Sequence, residues 1–151
     1  MDRIIRVDLV AMASSRSFPV ALASARQARA WLAEVIAPDE LAVAERQRFE
    51  VALTELITNL VQHTAPTPET FRLRCQVRKR EVRVLLTARC HSFADSQAFR
   101  AELQAREPDE HDPFAESGRG LMMVRHYFPD ARYTPPPRPG GDECYELSLR
   151  H

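Results

Sequence analysis

A chain of 151 residues, 44% hydrophobic and 28% charged, holds enough apolar material for one domain with a real core, spanning 1–151. Its 21 basic and 21 acidic residues cancel, which removes any global electrostatic case for nucleic acid or a membrane surface as partner. The odd, widely spaced Cys75, Cys90 and Cys144 argue against a disulfide framework or a zinc knuckle; with no run near the ~18 apolar residues of a membrane span, the expectation is a cytoplasmic protein.

Ile4 to Val10 reads as a first strand, with Ile5, Val7 and Leu9 on one side. After Ser15-Arg-Ser17, Pro19 is expected to open a helix running to about Ile36, with Trp31, Leu32 and Val35 on its buried face. Ala37-Pro38-Asp39 breaks it, and a second helix is expected from near Asp39 to just before Pro66. At about 100° per residue, Phe49, Ala52, Leu53, Leu56, Ile57 and Leu60 share one face of that helix. Glu55, Asn59 and Gln62 fall together on a stripe well away from it. A carboxylate and an amide one turn apart can serve one small site: Glu55 as proton acceptor, Asn59 as a neutral oxygen ligand for a hard cation such as Mg2+. The same pair also fits the plain solvated side of an amphipathic helix. His63, one turn past Asn59, reads as a helix-end histidine.

Phe71, Leu73, Cys75 and Val77 alternate with Arg72, Arg74, Gln76 and Arg78, a half-buried strand. The Arg78-Lys-Arg-Glu81 turn leads into Val82, Val84 and Leu86, giving an antiparallel hairpin whose arginines form the solvated face. Phe93 to Ser117 reads as a lid, with a helix from Ser96 to Arg106 and an acidic, proline-broken loop from Glu107 to Pro113. In Ser117-Gly118-Arg119-Gly120-Leu121, two glycines immediately precede an apolar helical run from Leu121 to Tyr127. Glycines let a ligand approach the main chain, and a helix start offers free N–H groups and a positive dipole end. Arg119 adds a permanent cation, so the segment reads as a phosphate seat. A short strand from Ala131 to Thr134, a Pro135–Gly141 turn and a last strand with Tyr145, Leu147 and Leu149 alternating complete the chain. The elements add up to an α/β two-layer sandwich: a mixed, mainly antiparallel sheet with helices on one face.

The ordered set of a Glu55/Asn59 helix, two alternating strands, a lid and Gly118-Arg-Gly-Leu121 resembles the anti-sigma-factor serine/threonine kinases of the SpoIIAB/RsbW type. These belong to the histidine-kinase-like ATPases with the Bergerat fold, and the likeness runs over almost the whole chain. The resemblance implies ATP and Mg2+ as cofactors, Glu55 as the catalytic base and Asn59 as the Mg2+ ligand. It also implies Asn59, Gly118, Arg119, Gly120 and Leu121 as the cofactor-binding positions. The activity implied is phosphorylation of a serine on a small antagonist protein, by a homodimer that also holds a sigma factor or similar regulator. One departure stands out. Where the family carries an Asp-x-Gly-x-Gly box that contacts adenine, this chain has Ala88, Cys90 and Ser92. The alternative implied by that departure is a protein-binding regulatory module of the same fold, with nucleotide use weakened or lost.

Overall fold

The computed structural model describes residues 12–63, 69–89, 116–138 and 140–150. The strand expected at Ile4–Val10 lies outside these, as do Cys90, Ser92 and the expected lid up to residue 115. The first described strand, β1, is Met12–Pro19, so Ser15-Arg-Ser17 is strand rather than a lead-in to a helix. Pro19 closes this strand instead of opening a helix. Its missing N–H is tolerated because β1 sits at a sheet edge, and Val20 N–H continues the ladder to Glu69 O at 2.7 Å. Helix α1, Ala23–Val35, then starts with Ser24 Oγ donating back to Pro19 O.

Helix α2, Val43–His63, begins later than Asp39, which falls in the turn after α1. Glu45 Oε1 accepts from Ala42 N–H at 2.9 Å, the reach-back of an acid in the first helical turn that satisfies an otherwise orphaned donor. Arg46 donates to Ala37 O at 3.1 Å and Ile36 O at 3.4 Å, which fastens the end of α1 to the start of α2. The expected apolar face is buried throughout: Phe49, Ala52, Leu53, Leu56, Ile57 and Leu60.

Strands β2, Thr70–Arg78, and β3, Glu81–Arg89, form the hairpin around Lys79 and Arg80. Helix α3, Glu116–Tyr127, leads to the short β4, Arg132–Thr134, and then to β5, Asp142–Arg150. The sheet order is β1-β2-β3-β5-β4, and every neighbouring pair is antiparallel. Strand alternation sends Phe71, Leu73, Cys75 and Val77 from β2, Val82, Val84, Leu86 and Ala88 from β3, and Tyr145 and Leu147 from β5 into one core with the helices. Phe18, the inward residue at the end of β1, stacks on Phe71 (centroids 5.5 Å apart) and meets Trp31 of α1 edge-on at 6.1 Å. The opposite face is polar, as the sequence pattern predicts. There Glu81 accepts from Arg83 at 2.8 Å and from Arg150 at 3.1 Å.

Candidate functional site

Helix α2 is held from two sides before any site chemistry is considered. Arg29 of α1 donates to Thr54 Oγ1 at 2.7 Å, and that hydroxyl donates on to Glu50 O at 2.8 Å. On the other side, the ring of Phe49 lies 4.8 Å from that of Phe128, the residue that follows α3. Glu55 and Asn59 therefore project from a helix fixed against both of its neighbours.

Their environments differ from what simple amphipathicity predicts. Gln62 is exposed and Glu55 half-buried, but Asn59 is only 6% exposed. Its Nδ2 is buried and meets no hydrogen-bond partner in the protein. A buried amide nitrogen left unsatisfied costs about 1–3 kcal/mol, a penalty that an acceptor on a bound ligand would relieve. Rotation about its last side-chain bond presents either the amide oxygen or the nitrogen. The donor set suits a hard cation that keeps most of its shell from phosphate and water, as Mg2+ commonly does. Among the described residues no group of three His, Cys, Asp or Glu could hold a metal by itself. A single amide oxygen with a carboxylate one turn away fits Mg2+ that takes the rest of its shell from phosphate and water.

The glycine segment lies differently from the sequence expectation. Helix α3 already begins at Glu116, so Gly118, Arg119, Gly120 and Leu121 stand in its opening turns rather than ahead of it. Gly118 remains among the N–H groups that no helical carbonyl can reach, whereas Gly120 lies further in. Two glycines this close together weaken the start of a helix by about 1 kcal/mol each relative to alanine.

Ala88, near the end of β3, is 4% exposed and carries no polar atom on its side chain. Directly across the ladder from it is Glu143 of β5, also buried at 6% exposure. Tyr133 Oη donates to one carboxylate oxygen of Glu143 at 2.6 Å, and Tyr145 Oη to the other at 2.7 Å. Sequence reasoning missed this residue. The signal was available: counting back by two from Leu147 and Tyr145 puts an acid at an inward position of β5.

A concavity of about 910 Å3 lies elsewhere. Ser15, Arg72, Arg74, Leu85 and Thr87 line it from the polar side of the sheet, turned away from the helix that carries Glu55 and Asn59. Volume and chemistry thus disagree, and the unsatisfied amide is the more specific pointer to a ligand.

No described helix is long and apolar enough to cross a membrane. No curated protein matches the chain in sequence. Two solved structures share the fold. One holds the RsbU and RsbW domains of Rv1364c from Mycobacterium tuberculosis, with a TM-score of 0.63 and 17% identity over 92% of this chain; the match spans 32% of that one. The other is a chain of the SiaB–SiaC complex from Pseudomonas aeruginosa, with a TM-score of 0.66 and 12% identity over 98% of this chain and 94% of that one. The sequence pattern of the histidine kinase-like ATPase domain matches residues 18–144. The chain is therefore a member of the histidine kinase-like ATPase family.

Proposed function

We propose that this protein is a serine/threonine kinase of the anti-sigma type, acting in partner switching. It binds ATP with Mg2+ and transfers a phosphoryl group to a serine of a small antagonist protein. It acts in the cytoplasm as a homodimer that holds a sigma factor or similar regulator when the antagonist is absent. The observation that carries this reading is the buried side chain of Asn59, whose amide nitrogen has no hydrogen-bond partner, one helical turn from the half-buried carboxylate of Glu55. The two fold neighbours support a protein partner: one was solved as the SiaB–SiaC complex, the other carries RsbU and RsbW domains in one chain.

In this reading Glu55 accepts the proton of the substrate serine hydroxyl as the hydroxyl oxygen becomes the nucleophile. Asn59 would hold the cation through its amide oxygen, and the main-chain N–H groups around Gly118, together with the charge of Arg119, would offset the phosphate charge. Bound Mg2+ supplies charge neutralisation at the phosphoryl oxygens. Asn59 and Gly118 each lie about ten residues, a helical rise of about 15 Å, from the Phe49–Phe128 contact that joins their helices. The reading needs Asn59 and Gly118 at the same end of that helix pair.

A second reading, a nucleotide-independent binding module of the same fold, draws on one observation: Ala88 offers no acceptor where the family reads adenine. Calorimetric titration with Mg–ATP, followed by transfer assays with the antagonist protein, separates the two. Saturable ATP binding together with phosphoserine formation supports the kinase. Tight partner binding with no heat from ATP supports the module.

A further inference from the structure

The outward face of the sheet treats its arginines in two ways. Arg83 lies 2.8 Å from Glu81 and 3.8 Å from Glu146, and Arg150 lies 3.1 Å from Glu81. In the strand register Arg78 stands opposite Glu81, Arg89 opposite Asp142 and Arg132 opposite Glu146. Each of these cations has an acid beside it. Arg72 and Arg74 do not: both are exposed, and among the described residues neither is ion-paired. Their neighbours across the ladders are Ser17 and Thr87 for Arg72, and Ser15 and Leu85 for Arg74.

Two like charges about 7 Å apart on one side of a strand repel, so within this chain the pair stabilises nothing. Arg72 donates to Ser15 Oγ at 3.1 Å, which uses one N–H of the five that a guanidinium carries. The small side chains of β1 leave room above them. The concavity of about 910 Å3 opens here, lined by both arginines, the hydroxyl-bearing Ser15 and Thr87, and the half-buried Leu85. Forked cations, hydroxyl groups and a little apolar surface suit a carboxylate on an aliphatic stem.

We infer that this concavity docks an acidic segment of a partner protein, whose carboxylates pair with Arg72 and Arg74 on the face of the sheet opposite Glu55 and Asn59. Charge complementarity selects that occupant. A second copy of the chain, docked by a two-fold contact centred here, would set these arginines against their own counterparts. A nucleic acid needs a longer positive track than this face offers, because Glu81, Glu146 and Asp142 interrupt it. The inference does not depend on the nucleotide reading, since the two surfaces lie on opposite sides of the sheet.

The test is fluorescence anisotropy of the full chain with a labelled peptide of alternating glutamate and serine. Wild type should bind it, should ignore the matching glutamine–serine peptide, and should lose affinity several-fold as salt rises from about 50 to about 300 mM. Arg72→Ala with Arg74→Ala should weaken binding about tenfold, whereas Arg150→Gln, at a cation already paired, should change it less than about twofold. Ser15→Glu places a carboxylate of the chain's own beside Arg74 and should also weaken binding about tenfold; it decides the matter should the double variant fail to fold. No binding by wild type at low salt, or equal binding by the double variant, overturns the inference. A mixed-sequence DNA duplex that displaces the peptide from wild type and binds the double variant more weakly makes this a nucleic-acid surface instead. A dimer that sediments as monomer once Arg72 and Arg74 are alanine shows that a second copy covers the face, and also overturns it.

Discussion

The rings of Phe49 and Phe128, 4.8 Å apart and inclined by 52°, join the helix that carries Glu55 and Asn59 to the helix that carries Gly118. Both rings are fully buried, so the contact has no solvent to lubricate it. Phe49→Ala should destabilise the protein by about 3–5 kcal/mol, read as a lowered urea midpoint with little change in slope. Phe49→Leu, which keeps most of the volume, should lose far less. Equal losses from the two would show that the aromatic pairing, not filled space, carries the energy.

Glu55→Gln keeps the shape of the proposed base but cannot take up a proton. Transfer of phosphate to the antagonist protein should fall by a factor of about 100 or more, while Mg–ATP affinity stays within about threefold. Undiminished transfer would falsify the assignment of Glu55 as base.

Asn59 should show a trade between stability and binding. Removing a buried amide whose Nδ2 has no partner relieves a penalty, and alanine also favours the helix. Asn59→Ala should therefore be as stable as wild type, or more so by about 1 kcal/mol, in the absence of nucleotide. The same variant should bind Mg–ATP at least tenfold more weakly. A variant that is destabilised yet binds normally would make Asn59 a structural residue.

Cys75 sits on the inward face of β2, and burial pushes its thiol up from 9.0 to about 12. The folded state thus resists ionising a group that the unfolded chain ionises more readily. The sign follows: this contribution to stability is fully present below about pH 9 and is lost as pH rises towards about 12. Wild type should lose more stability between pH 8 and pH 10 than Cys75→Val does, with urea midpoints as the measure. Native Cys75 should also resist iodoacetamide at pH 8 and react promptly in urea.

What the sequence made legible was what repeats within one element. The apolar stripe of α2 from Phe49 to Leu60 and the alternation of Phe71 to Val77 both mark residues that are buried. Strand β1 was hidden because Ser14, Ser15, Arg16 and Ser17 carry almost no apolar signal; pairing with β2 makes that segment a strand, and pairing is a tertiary matter. Pro19 suits a helix start as well as an edge-strand end, and nothing local separates the two. Asn59 was grouped with Glu55 and Gln62 as a polar stripe, yet at about 100° per residue it stands only about 20° from Ala52, seven residues back and fully buried. Its burial, the most telling property of the site, was therefore legible at the flank of the apolar arc, and the packing of α2 on both α1 and α3 widens that arc. The Glu143 cluster needed the register between β3, β5 and β4, which no spacing along the chain encodes.

The β2–β3 hairpin stands at the middle of the sheet and closes through a two-residue turn, so it can form with almost no loop to order. Every other pairing to it spans a long excursion. Pro19 joins Thr70, and Arg89 joins Asp142, across roughly fifty residues in each case. The first excursion carries Glu55 and Asn59, and the second carries Gly118 and Gly120. Because closure entropy grows only with the logarithm of length, these two excursions face nearly the same barrier. The hairpin contributes no residue to the proposed chemistry, yet it is the template on which both halves of the site must converge. Folding should therefore be limited by the docking of these excursions, and substitutions within the β2–β3 turn should change the folding rate more than the unfolding rate.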